Sequence, residues 1–197
     1  MMKTFLKKIT PEPVKAFYRA YKPDKMKSAI IQHLKNIPEN ERSSEEQEIL
    51  RYLKRHPLSM LPYPYTAKYS PRNVAVYRDD DLQMRYVLHG NKRLYFKKAW
   101  DEEHIKNSYS ALLVEQDIES PHRYETPEFR VSEGDVVVDA GVAEGNFALE
   151  AVERAKELYL FEPDVEWIAP LHATFAPWKN KVFIVNNCVS DIYDRGG

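Results

Sequence analysis

A single cysteine, Cys188, is the whole thiol content of the chain, which excludes an internal disulfide framework and fits a reducing compartment. No apolar run approaches the roughly 18 residues needed to span a bilayer. The basic start, MMKTFLKKIT, lacks the apolar region of a secretory signal. A net charge of −1 leaves no overall electrostatic bias, which argues against nucleic acid as a partner. No His, Cys and carboxylate cluster has metal-ligand spacing, so no metal is expected. No serine nucleophile of the G-x-S-x-G kind occurs, and there is no internal repeat or low-complexity tract. What remains is a globular composition, 43% apolar and 30% charged, over 197 residues. That length suits one domain with an appendage, or two small domains, and the cytoplasm is the expected location.

The stretch VVVDAGVAEGN, residues 136–146, organises the rest. Three β-branched residues end in Asp139, and a small-residue turn follows with Gly141, Ala143, Glu144, Gly145 and Asn146. Phe147, Leu149 and Val152 then begin a helical period. The pattern predicts a buried parallel strand, a tight loop and a helix start, where small residues let a ligand approach the backbone. A second strand, LYLF, ends in Glu162, 21 residues beyond Gly141. An acid at that position can accept both hydroxyls of a ribose. Together the two features describe half of a nucleoside-binding α/β domain.

A dinucleotide site wants G-x-G-x-x-G. Counted from Gly141, the second and third glycines are replaced by Ala143 and Asn146, so a pyrophosphate loses two of its three glycines. S-adenosylmethionine carries no phosphate and tolerates a looser loop while still needing the ribose acid. An ordinary βαβ turn without a ligand is the plain alternative.

These residues also carry a resemblance. GDVVVDAGVAEGNFALE (134–150), LYLFEPD (158–164), WIAPLHATFAPWKNKVFIVNNCVSD (167–191) and the upstream EQDIESPHRYE (115–125) resemble the FkbM-type S-adenosylmethionine-dependent methyltransferases. The resemblance implies a Rossmann-like class I methyltransferase core and transfer to an oxygen, often on a sugar or glycolipid. Here the core would comprise the first three parallel strands only, preceded by a helical arm and a small antiparallel β meander. It implies that Asp139, Glu162, Pro163, Asn187, Cys188 and Val189 border the donor, with the last three flanking the adenine. The chain stops at Gly197, where the family continues to a fourth strand. The expectation is an amino-terminal portion that lacks activity alone and self-associates through an open sheet edge. The implied chemistry is direct displacement at the sulfonium methyl, which depends mainly on positioning.

The loop SPHRY, residues 120–124, leads into the first strand. An unperturbed imidazole suits proton transfer near neutral pH, so His122 is a candidate base, and His122 and Tyr124 are candidates for donor contact. A histidine that caps the loop or bridges it to the core is the alternative for His122, and a small buried hydrophobe the alternative for Cys188.

Before residue 120 the chain reads as two further parts. Residues 1–72 form a helical arm and a Pro/Tyr-rich linker; residues 1–36 carry nine basic side chains against two acidic ones. Such an arm is a candidate for contact with the inner face of an anionic membrane, or is a solvated helix. Ser43 with Glu46 has capping-box spacing. Residues 73–119 read as a three-stranded meander, turning at the Asp79–Asp80–Asp81 triplet and at Gly90–Asn91, followed by a helix from Asp101. The aspartate triplet is expected to be a solvated turn. The third part is residues 120–197. Two other functions remain open: an inactive nucleoside-binding or interaction module, and a nicotinamide-dependent oxidoreductase half-domain.

Overall fold

The computed structural model describes residues 23–58, 61 and 63–189. The first 22 residues of the basic arm, and Ser190 of the third-strand turn, therefore lie outside the described residues. The chain divides into two compact units, Met1–Ala67 and Lys68–Gly197.

In the first unit, helices α1 (Pro23–Asn36) and α2 (Ser44–Arg55) pack through Leu34, Leu50 and Leu53, all buried. The expected capping box is present: the Ser43 hydroxyl accepts the Glu46 amide at 3.1 Å, and Glu46 accepts the Ser43 amide at 2.8 Å. Arg42 donates to the Leu34 and Lys35 carbonyls, satisfying acceptors that the end of α1 leaves open. Tyr65 is buried in this unit, consistent with packing rather than sugar stacking.

In the second unit, β1 (Tyr77–Asp79), β2 (Met84–His89) and β3 (Lys92–Tyr95) form an antiparallel sheet of their own. The first strand is shorter than its alternation suggests: Asn73 belongs to the 3-10 turn Pro71–Asn73, and residues 74–76 lie outside the paired strand. The aspartate triplet is not simply solvated. Asp79 accepts from the Leu82 amide, the Tyr95 hydroxyl and Arg93, and these bonds hold its carboxyl below the usual range. Helix α3 (Glu102–Glu115) starts at Asp101, whose carboxylate accepts the His104 amide. Past its end, Asp117 is buried and accepts from the Tyr69 hydroxyl at 2.6 Å, fixing a linker tyrosine by hydrogen bonding.

The three strands expected after residue 120 are β4 (Val136–Ala140), β5 (Glu157–Phe161) and β6 (Val182–Val185). They are parallel and lie in the order β4-β5-β6, with α4 (Asn146–Ala151) and α5 (Val165–Phe175) as crossovers. Crossovers of one hand between strands in sequential order fall on one face of a sheet. Leu158 and Leu160 of β5 point to that face and are fully buried with Leu149 and Leu171. Each such leucine contributes roughly 1.5–3 kcal/mol.

The opposite face corrects the expectation of a strand buried on both sides. Val136 and Val138 are 54% and 63% exposed, Phe183 is 41% exposed, and Tyr159 stacks on Phe183 at 4.9 Å. Among the described residues β4 pairs only with β5, so its outer edge is open, as expected.

The meander docks on the helical side. Trp100 meets Trp167 edge-on at 5.2 Å, and Phe96 lies beneath them, fully buried. The Tyr95 amide donates to the Thr174 hydroxyl at 3.0 Å, in a buried bond 79 residues apart in sequence. Thr174→Val keeps the shape but removes the acceptor. It should lower stability by about 1–3 kcal/mol, read from denaturant midpoints. A loss below about 0.5 kcal/mol, the range of neutral surface changes, would mean the amide finds another acceptor.

Candidate functional site

Asp139 is the penultimate residue of β4, and the turn that follows is held by backbone bonds to its neighbour strand. The Gly141 amide donates to the Phe161 carbonyl at 2.8 Å, and the Gly145 amide to the Val142 carbonyl at 2.9 Å. Gly141, Ala143 and Gly145 all have positive φ, at 80°, 48° and 80°. The two glycines serve different ends. A Cβ on Gly145 would lie 3.0 Å from Leu171 and Phe175, so this glycine lets α5 pack against the turn. A Cβ on Gly141 would meet nothing within 4 Å, so that side of the turn is open. Ala143 takes the left-handed conformation without being glycine, a mild strain at the centre of the turn.

Glu162 explains how that strain is held. Its Oε2 accepts the Ala143 amide at 2.8 Å and its Oε1 accepts the Asp164 amide at 2.8 Å. The side chain is buried, at 5% exposure. From the carboxyl end of β6, Asn186 donates to the Glu162 and Pro163 carbonyls at 2.8 and 3.1 Å. Each carboxylate oxygen still has a second lone-pair direction, so a ribose contact remains compatible. A freely solvated strand-end acid, however, is not what the structure has.

The remaining acids near the turn have no cation beside them. Asp139 is half-buried, and burial first, then the Glu162 charge, pushes its carboxyl up. Glu144 is pushed up by burial and by Glu115, Glu162 and Asp139. Neither forms an ion pair among the described residues. Asn146, the first residue of α4, is 6% exposed, and its Nδ2 has no partner among the described residues. Helix α4 itself has only six residues, so the expected contribution of a long helix terminus is small.

Other candidates fall outside this cluster. The His122 side chain is exposed; only its backbone amide is engaged, with the Ser120 hydroxyl at 3.2 Å. Tyr124 is 57% exposed and meets Phe147 edge-on at 5.3 Å, placing the loop beside the start of α4. Pro163, Asn187, Cys188 and Val189 are exposed, so Cys188 is not a buried hydrophobe. The Asn187 carboxamide accepts the Cys188 amide at 2.9 Å. Asn186, one residue before the named turn, was not singled out by the sequence, although its place at a strand end was a signal. A groove of about 380 Å³ along β4 is lined by Tyr124, Phe129, Val136, Val138 and Phe147. Among the described residues no group of His, Cys and acids could hold a metal, and no helix is long and apolar enough to cross a membrane.

Comparison of the chain with family models, with curated proteins and with solved structures finds no match in any of the three.

The two bonds to Glu162 define an expected outcome. Glu162→Ala leaves the Ala143 and Asp164 amides without their acceptor and should destabilise the fold by about 2–6 kcal/mol, at about 1–3 per unsatisfied group. Chemical denaturation checks this. A midpoint equal to the unmodified chain would assign the carboxylate to solvent or ligand instead.

Proposed function

We propose that this chain binds S-adenosylmethionine at the turn after β4 and is part of an oxygen-directed methyltransferase of the FkbM type. The observation that carries the reading is the pair of uncompensated carboxylates, Asp139 and Glu144, beside an orphaned Asn146 donor and the open side of Gly141. An acid-lined turn repels a pyrophosphate and attracts a cation, and S-adenosylmethionine carries a sulfonium and an ammonium. This electrostatic character disfavours a nicotinamide dinucleotide, in agreement with the missing glycines.

Bound S-adenosylmethionine supplies an electrophilic methyl group to an acceptor hydroxyl. The chain's residues position it. Glu162 presets the turn and offers its free lone pairs to ribose hydroxyls, Asp139 and Glu144 favour the cationic portion, and Asn146 donates to a ligand acceptor. Asn187 and Val189 are exposed beyond β6 and available to the adenine. A small-molecule or glycan acceptor approaches from the strand ends, where open parallel sheets bind ligands. A binding module without activity shares all of these features. It is distinguished by methyl transfer, not by donor binding.

Calorimetric titration should show binding of S-adenosylhomocysteine, which keeps the ammonium and ribose, and no measurable binding of NAD. Tighter binding of NAD would sink the reading.

The reading also includes self-association through β4, whose open edge and exposed valines form a template for pairing. Val138→Glu places a charge on that strand. It should shift the chain toward monomer, by at least tenfold in dissociation constant, in light scattering across a concentration series. An unchanged distribution would exclude β4 as the contact.

A further inference from the structure

Helix α3, strand β2 and the segment around the 3-10 turn Pro71–Asn73 border a cavity of about 260 Å³, wholly within the second unit. Its deep part is apolar: Val74 and Val87 are buried there, and Leu113 of α3 adds to the surface. Three tyrosines shape the walls, and each is held by a contact of its own. Tyr69 donates to the Asp117 carboxylate at 2.6 Å, Tyr77 stacks on Tyr86 at 5.4 Å, and Tyr109 donates to the Leu88 carbonyl at 3.3 Å. The cavity is therefore shaped before anything enters, which lowers the ordering cost of binding.

A buried polar side chain opens into this space. Ser110 is 5% exposed, and its hydroxyl makes no hydrogen bond among the described residues. Serines within helices can return their proton to the carbonyl one turn back, as Ser28 does to Asp24 at 2.8 Å, but Ser110 does not. Nor is its oxygen sealed in the core. The space it borders is the cavity, and its donor and acceptor capacity are both unused there. The charges decide against an ionic occupant. Among the described lining residues only Lys68 is charged, and Asp117 and Glu119 each stand 3.3 Å from its ammonium. The volume lies just under the roughly 300–1,000 Å³ of drug-sized sites, so it suits one ring and not several. A sugar ring would carry several hydroxyls against Val74, Val87 and Leu113, which offer them no partner. A flat apolar ring with a single hydroxyl leaves none unmet.

We propose that this cavity is a binding site for a small uncharged phenol, with its ring against the tyrosine-lined walls and its hydroxyl on the Ser110 oxygen. Aromatic rings gain from packing on one another beyond the area they bury, and a phenolic hydroxyl exchanges a hydrogen bond with serine in either direction. The apolar depth selects the ring, and Ser110 selects the hydroxyl. No lining residue belongs to the turn after β4, so the assignment does not rest on the S-adenosylmethionine reading.

Amide chemical-shift titration of the full chain tests this with 4-methylphenol, toluene, 4-methylbenzoate and methyl glucoside as separate titrants. The methylphenol should bind at least fivefold more tightly than toluene and at least tenfold more tightly than the benzoate or the glucoside. Ser110→Ala should reduce its advantage over toluene to less than twofold while leaving toluene binding and the circular dichroism spectrum unchanged. Ala75→Trp, at an exposed lining position, should block both ligands in a folded chain. Absence of methylphenol binding, equal affinity for toluene, tighter binding of the benzoate or the glucoside, or an undiminished preference in folded Ser110→Ala would each overturn the assignment. Methylphenol binding that survives Ala75→Trp would overturn it as well.

Discussion

The carboxylate of Glu162 is the constraint on which the turn after β4 depends. It joins an amide in the loop after β4 to the amide that precedes α5, and Asn186 fastens its own backbone to the end of β6. Three strand ends are thereby brought to one point by one side chain and one carboxamide. Buried charge-assisted bonds of this kind are short and strong, and they hold Ala143 in a conformation that a non-glycine residue seldom takes. A preset turn loses less freedom on any binding event than a mobile one. Asp164 extends the connection, since it pairs with Lys97 next to β3 and so links the meander to the same corner.

The one-sided sheet has the widest consequence for the rest of the molecule. Strands in sequential order with crossovers of one hand stack their helices on one face, and all of the tight packing lies there. The meander adds a third layer to that side through Trp100, Trp167 and the Thr174 bond. Val136, Val138, Tyr159 and Phe183 remain on the other face without a helix among the described residues. An apolar sheet face with an open edge is a surface for another chain or segment.

A near-zero net charge conceals a local gathering of acids in the second unit. At the carboxyl ends of the strands, Asp139, Glu144 and Glu162 gather with Glu115 in reach of Glu144. Partly buried charges of one sign raise the local potential and select ligands of the other, however balanced the total.

Local signals were sufficient for the elements themselves. Ser43 with Glu46 predicts a helix start, Gly90–Asn91 a hairpin, and VVVDA followed by small residues a strand and turn, because each depends on a few neighbouring residues and their backbone preferences. Glu162 was also legible, since its distance from Gly141 is a property of the chain. Its two backbone partners were not, because one of them lies 19 residues away. The exposure of Val136 and Val138 was equally hidden: an apolar run reads as buried, and only strand order and helix placement decide which faces are covered. The contact of Lys92 with Trp178 is a matter of tertiary structure alone. The lysine is an ordinary surface residue in sequence, and the tryptophan arrives from 86 positions away by the folding of α5 against the meander.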